Sequence, residues 1–394
     1  MFTRSSVKVG ERAEQSWCIS TTNRVEYDIH LSTNLFGIEN DQLLQHGGRG
    51  PGSRRLVLID AGIFDSISEE IEYYFRTHSV FMKVIVVDVS EERKDVENLF
   101  YILQAMENFG LERRREPVIC IGGGVLLDMG GFAASIYRRG VPYIKVPTTL
   151  LALIDASVGV KTSINHFKRR NRLGSYEAPL AAYLDPSFLQ TLPKVEVVQA
   201  LGEILKMAVI KDAKLFKQLE TSIVELSDWS FYTKDSGLEI IERSITGMVE
   251  ELHDNLRELN LERLVDFGHS FSPLLELRSL DVEDVKSLTH GEAVAQDVLF
   301  CSCLSAQRGL LSYLELERIF DLAYRAGLPI EHSLFYEADY LWEALEDTTR
   351  HRNGNQNLPV PIEIGKGTFI NDVKYEELVK VTELFRKLVD ETKE

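Results

Sequence analysis

CIGGGVLLDMGGFAASIYRRG, Cys120 to Gly140, runs from a buried strand through three glycines into a helix. Such a turn lets backbone N–H groups approach a phosphate, and the helix N-terminus favours negative charge. The spacing is not the G-x-G-x-x-G dinucleotide fingerprint, because Leu127 stands at the last glycine position. Taken alone, the turn serves a bound phosphate or a tight structural corner equally well. Asp128 also has two readings: an acceptor for a sugar hydroxyl, or a charge that favours the first helical turn. Gly130 and Gly131 sit mid-helix, where each glycine costs about 1 kcal/mol against alanine. They predict close packing against a neighbour.

The same pattern extends to either side. RRLVLIDAG (54–62), KVIVVDVSEE (83–92), EPVICIGGG (116–124) and VPYIKVPTT (141–149) read as short buried strands. EEIEYYFRTH (69–78) and VENLFYILQAMENFG (96–110) between them read as helices. This alternation predicts an α/β fold with a parallel-rich, doubly covered sheet and ligands beyond the strands' carboxyl ends. Residues 1 to about 50 read as a polar, partly strand-forming lead-in that ends in HGGRGPGSRR. After residue 197 helical periodicity dominates, from QALGEILKMAVIKDAKLFKQLE onward, with few convincing strands. The expected organisation is an α/β domain over 1–197 followed by a mostly α-helical domain over 198–394.

Composition narrows the function classes. The 394 residues exceed one ordinary core, and 44% hydrophobic with 27% charged residues is the make-up of a soluble globular protein. A formal net charge of −17 argues against nucleic acid or an anionic membrane as partner. A local basic pocket can still hold a small anion. The start, MFTRSSVKVGERAEQSW, lacks an apolar core of signal-peptide length, and no run approaches a membrane span. Four scattered cysteines are too few for a disulfide framework, and Cys301 and Cys303 read as buried thiols. The expectation is a cytoplasmic protein.

KVPTTLLALIDASVGVKTSINHFKRRNRLGSYEAP (145–179) is rich in binding groups. Asp155, Lys161, Asn165, Lys168, Arg169, Arg170, Asn171 and Arg172 fall within 18 residues. The plain reading is a solvated basic loop. Because the first half is apolar and glycine-punctuated, Asp155 and Lys161 are expected to be partly buried, a costly pairing without a task.

Glu203 and Lys206, three apart in LGEILKMAV, share a helix face amid apolar neighbours. Glu203 therefore either pairs with Lys206 or ligates a metal. Thr289 and Glu292 fit a capping box, which explains Glu292 but not His290. His269 lies just before Pro273, a good helix-start residue. Two histidines and a glutamate with an open fourth position form a known catalytic zinc set. The spacings of 66 and 21 residues match no local metal pattern, so chemistry alone leaves the question open.

Seven motifs in order carry a resemblance: GGGVLLDMGGFAASIYRRG, VPTTLLALIDASVGVKTSIN, RNRLG, FLQTLP, GEILKMAVI, DFGHS and HGEAV. Over roughly residues 55 to 370 the chain resembles the dehydroquinate synthase-like sugar phosphate cyclases. The resemblance implies NAD in a cleft between an α/β and a helical domain, with a zinc (or cobalt) ion held by Glu203, His269 and His290. The NAD site it implies comprises Asp60, Glu91, Lys94, Gly123, Gly124, Val125, Asp128, Thr148 and Thr149, with Arg170, Phe188, Thr191 and Leu192. Arg170 stands where many relatives have lysine. Asp155, Lys161, Asn171 and Lys206 would contact substrate, with Asp155 paired to one of the two lysines. Arg139 would reach a phosphate across a homodimer interface.

The departures from the pattern bear on substrate. Dehydroquinate synthases carry a second histidine where Pro273 stands and an asparagine where Asp266 stands. A lysine and an arginine that clamp the acid substrate's carboxylate are replaced around Met248 and Glu262. A bare carboxylate at Asp266 would repel a second one by about 4 kcal/mol at ~4 Å and an effective dielectric of about 20. A sugar phosphate without a carboxylate is therefore expected. MVEELHDNLRELNLERLVDFGHSFSP and RHRNGNQNLPVP resemble the sedoheptulose 7-phosphate cyclases. Leu252, Asp266 and His351 together look most like the 2-epi-5-epi-valiolone synthases, ahead of the branches making 2-epi-valiolone or desmethyl-4-deoxygadusol. The chemistry so implied is that of a lyase using NAD catalytically: transient oxidation, phosphate elimination, reduction and intramolecular aldol closure. His351 would bind or protonate at closure. A metal-dependent NAD alcohol dehydrogenase is the competing class, and Arg139, Asn171 and the KRR run argue against it.

Overall fold

The structure is a computed structural model. It describes the chain except residues 1, 10–11, 168, 227–230 and 283–284, and except the side chains of 2–9, 12–16, 191 and 223–226. Lys168 and the Thr191 side chain, both singled out above, lie outside the described residues.

A six-stranded parallel sheet forms the first half. A hairpin of β1 (Phe2–Val9) and β2 (Arg12–Ile19) precedes it. The sheet strands are β3 (Asp28–Leu31), β4 (Arg54–Asp60), β5 (Phe81–Val87), β6 (Val118–Gly122) and β7 (Tyr143–Pro147), together with a later strand, Ala181–Leu184. Helices α1 (Ala61–Thr77), α2 (Val96–Phe109) and α3 (Gly124–Ile136) connect strands within it. Residues alternate between faces, as the two-residue period requires. Val57, Ile59, Ile119 and Ile121 pack with α1, while Leu56, Leu58, Val118 and Cys120 pack with α2 and α3. Burial on both faces explains why these strands read as continuous apolar runs.

Between β7 and that last strand, a short π-helical turn (Ala152–Ala156) leads into an antiparallel hairpin, β8 (Lys161–His166) and β9 (Arg169–Tyr176). The stretch read as a basic loop is thus a hairpin, whose charges obscure its alternation. The Ala181–Leu184 strand is β10, and the sheet order is β3-β10-β7-β6-β4-β5. The direction of winding reverses between β4 and β6. Their carboxyl ends, Asp60 and Gly122, therefore flank the crevice where open α/β sheets take ligands.

The second half is helical. It contains α4 (Lys194–Ile210), α5 (Ala213–Leu226), α6 (Asp235–His253), α7 (Ser272–Arg278), α8 (His290–Gln307), α9 (Tyr313–Arg325) and α10 (Ala338–His351). A hairpin of β11 (Leu358–Glu363) and β12 (Lys366–Ile370) and a final helix α11 (Tyr375–Lys393) close it. Helix α8 is buried nearly all round, from Gly291 to Ser305, and forms the axis of the core. That core also takes in Leu150, Leu153, Ile154, Ala182 and Leu184 from the sheet half, so the two halves share an apolar seam. Cys301 and Cys303 are buried thiols within it.

Candidate functional site

Glycine brings the three candidate metal ligands together. A Cβ at Gly202 on α4 would run into the Gly291 carbonyl, and one at Gly291 would run into the Gln199 carbonyl. The two helices cross in backbone contact, one residue from Glu203 and one residue from His290. His269 arrives from a loop: Gly268, at φ +78°, packs against Val294 and Val298 of α8. The three N–H groups of Ser270, Phe271 and Ser272 then donate to Asp297 Oδ2 at 2.8, 2.6 and 2.8 Å. Pro273 opens α7 as its position predicts, and Thr289 with Glu292 forms the capping box that starts α8.

Donor atoms of Glu203, His269 and His290 all lie within 4.8 Å of one another. His269 Nε2 is 3.4 Å and His290 Nε2 3.3 Å from Glu203 Oε1. The opposite ring nitrogens face acceptors: His269 Nδ1 is 3.3 Å from the Phe267 carbonyl and His290 Nδ1 3.3 Å from Glu276 Oε2. An acceptor at Nδ1 leaves the Nε2 lone pair directed at the common centre. Both Glu203 oxygens are buried without a well-aligned hydrogen bond. A buried carboxylate left with only ion-pair contacts fits a metal ligand. Pairing with Lys206 is present as well, since Lys206 Nζ contacts Glu203 Oε2.

Charges at the centre follow from this packing. Burial pushes Glu203 up, but Lys206 and the two histidines outweigh it and hold the carboxyl well below its usual range. Burial brings His269 down to about 4. It opposes protonation of His290 too, yet the neighbouring Glu203 and Glu276 carboxylates push that imidazole up to about 10, so a bound dication would displace its Nε2 proton to free the lone pair. Burial, then the Glu203 charge, raises Asp155 against the pull of Lys206 and Lys161.

On the cleft wall the expected Asp155–lysine ion pair is not formed. Lys161 instead pairs with Glu258 at 2.9 Å, because β8 aims it at the loop after α6, and Lys206 turns to Glu203. Lys161 is also more open than expected, its side chain 65% exposed. Glu258 is ion-paired in turn with Arg263, and Arg263 with Asp266. Arg352 stands 3.4 Å from Asp266 Oδ2, an oxygen that Arg263 Nε also contacts. Asp266 is therefore not a bare carboxylate, and two guanidinium groups offset the repulsion argued for it above.

The cofactor-side residues form a second group. Helix α3 starts at Gly124 without a side-chain cap, and Gly123 lies so close to Thr149 that a Cβ would stand 3.2 Å from its Cγ2. The N–H groups of a helix start without a side-chain cap, beside the sheet crevice, fit a pyrophosphate. Val125 follows in the first turn, and Asp60 caps α1 by accepting from Gly62 N at 2.9 Å. Thr148 N donates to the Gly122 carbonyl at 3.0 Å. Lys94 Nζ meets Asp128 Oδ2 and Asn171 Oδ1, both at 2.6 Å, which places Asn171 with this group rather than beside the triad. Glu91 accepts from Asn165 Nδ2 at 2.8 Å and stands 3.7 Å from Arg170. Phe188 and Leu192 are core residues; the Phe188 ring packs near Phe36. The mid-helix glycines do mark close packing, with a Gly130 Cβ colliding with Cys120 and a Gly131 Cβ 2.5 Å from Thr162.

Arg139 is exposed on a left-handed backbone after α3, and no hydrogen bond among the described residues ties it to the rest of the site. His351 ends α10 with its ring exposed, 3.6 Å from Asp347. Its helix borders the cleft, because Thr348 Oγ1 donates to the Ser270 carbonyl at 2.7 Å.

Two family models cover most of the chain: the 3-dehydroquinate synthase N-terminal model over residues 84–199 and the C-terminal model over 200–350. The chain belongs to the 3-dehydroquinate synthase family. Among its relatives, a 2-epi-5-epi-valiolone synthase of Actinomyces sp is 41% identical over 94% of this chain and 98% of that protein. A demethyl-4-deoxygadusol synthase of Trichormus variabilis is 35% identical over 93% of this chain and 89% of that protein. The solved structure of the 2-epi-5-epi-valiolone synthase ValA from Streptomyces hygroscopicus subsp. jinggangensis, with NAD+ and Zn2+ bound, is 39% identical with a TM-score of 0.87. That match covers 94% of this chain and 99% of ValA.

Sequence reading missed several residues of this family member's site: Glu258, Arg263, Arg352, Glu276 and Asp297. Asp297 had a signal, as a carboxylate beside the apolar run VLFC of α8. Gly202 and Gly291 also had one, since each adjoins a candidate ligand.

Proposed function

We propose that the chain is a 2-epi-5-epi-valiolone synthase, converting sedoheptulose 7-phosphate to the cyclitol with release of inorganic phosphate. The observation that carries this reading is the full-length likeness to ValA at 39% identity, with a Glu–His–His centre assembled in the chain's own residues. Glu203, His269 and His290 would hold the divalent ion, zinc or alternatively cobalt. A bound ion there would lower the pKa of substrate hydroxyls and orient them. The Gly123–Gly124 turn would hold NAD, whose chemistry there would be that of a reversible hydride acceptor, with no net oxidation in the lyase reaction.

The chain's residues supply the rest. Lys206, buried beside Glu203, and Lys161, steadied by Glu258, present positive charge where the substrate's oxygen turns anionic. Asp155, its carboxyl raised by burial, faces a substrate hydroxyl as a hydrogen-bond partner. Asp266, fixed by Arg263 and Arg352, offers an oxygen to a second hydroxyl. Arg139 would reach the phosphate from the partner subunit of a homodimer, and Asn171, held by Lys94, would contact the substrate from the cofactor side. A cytoplasmic location suits a sugar phosphate substrate, and among the described residues no helix is long and apolar enough to cross a membrane.

Carbon NMR of the product from sedoheptulose 7-phosphate tests the assignment: 2-epi-5-epi-valiolone is expected, and 2-epi-valiolone or desmethyl-4-deoxygadusol would reject it. His351 carries a separate prediction. As a proton donor or substrate ligand at closure, it should lower turnover about 100-fold when replaced in His351→Ala. Wild-type turnover would remove it from the reaction.

A further inference from the structure

Glu276 is a buried carboxylate on α7, with its side chain 6% exposed. Burying a charge is costly unless both oxygens find partners. Here Oε2 lies 3.3 Å from His290 Nδ1, and Oε1 is ion-paired with Arg170 of β9. Arg170 also stands 3.7 Å from Glu91, which is itself held by Asn165. One unbroken series of contacts thus runs from the sheet-half hairpin to a ring whose other nitrogen points at Glu203. An ordinary inter-domain ion pair would need no imidazole at its end. A ligand imidazole, by contrast, needs an acceptor at its far nitrogen to fix ring orientation.

We propose that Glu276 is a positioning residue that orients His290 toward the metal, and that Arg170 carries this restraint across the cleft, so that contact between the two halves tightens the metal site. The inference rests on the metal centre assigned above. It makes the domain interface part of the metal site's rigidity.

The test measures Zn2+ affinity of the full chain by competition with a chromophoric chelator, without NAD or substrate. Glu276→Gln should bind Zn2+ ten- to a hundredfold more weakly, the usual cost of removing such a partner. Glu276→Asp should recover part of the loss. Arg170→Met, which leaves Glu276 in place, should weaken Zn2+ roughly fivefold or more, the lower range of coupling between sites. With Co2+ at saturation, the visible absorption bands of Glu276→Gln should shift, a change that a purely structural ion pair would not cause. Wild-type affinity and an unchanged cobalt spectrum in a folded Glu276→Gln chain would overturn the positioning role. Wild-type affinity in Arg170→Met would overturn the link across the cleft. Failure of the unmodified chain to bind Zn2+, with Glu203→Gln no worse, would instead defeat the metal assignment itself.

Discussion

Glu203→Gln is expected to abolish tight Zn2+ binding and to lower turnover by roughly three to four orders of magnitude, about 4–5 kcal/mol of transition-state stabilisation. The reasoning is geometric. Glu203 Oε1 is the atom both His269 Nε2 and His290 Nε2 face, at 3.4 and 3.3 Å. An amide at that position keeps the shape but loses the charge that would hold a dication between them. It also strands Lys206, whose buried ammonium contacts Glu203. A buried lysine without its partner is destabilising by about 3–5 kcal/mol. Thermal unfolding measured beside metal titration separates the two effects: Glu203→Gln with Lys206→Met should regain stability and stay inactive. Turnover within tenfold of wild type in Glu203→Gln would contradict the assignment.

Asp297→Ala should destabilise the fold by about 3–5 kcal/mol, from stranding several buried donors at once. Asp297 is fully buried on α8, and one of its oxygens accepts all three N–H groups of Ser270 to Ser272. Cys301 Sγ donates to the other at 3.1 Å. Those three N–H groups open α7 directly after His269, so the substitution loosens a ligand loop as well as a core. Denaturant unfolding should show a lower midpoint, and Zn2+ affinity should fall with it. Asp297→Asn keeps an acceptor oxygen and should lose clearly less. Equal stability of Asp297→Ala and the native chain would show that the loop is held otherwise.

Much of the fold was legible because its signals are local. Strands β4, β6 and β7 are buried on both faces, so each appears as a short apolar run, the edge strand β5 is apolar though half-exposed, and the three glycines mark the turn into α3. The hairpin β8–β9 was hidden because its strands carry Lys161, Arg169, Arg170 and Arg172, charges that mask its alternation. Strand β10 is only Ala181 to Leu184, too short to show a period. At the site, Glu203, His269 and His290 were visible as residue types but not as a cluster: their convergence depends on α4 and α8 touching at Gly202 and Gly291. The ion pairs of Glu258, Arg263, Asp266 and Arg352 join separate segments of chain, and no spacing rule predicts them. For that reason Asp266 read as a free charge and Asp155 as a partner of lysine.

The most direct measurement is incubation with sedoheptulose 7-phosphate, NAD and Zn2+, following inorganic phosphate and reduced cofactor together. Phosphate should be released in amounts equal to the cyclitol formed, with no accumulation of NADH. NADH accumulating without phosphate release would mean a dehydrogenase, and would contradict the cyclisation that the site is argued to perform.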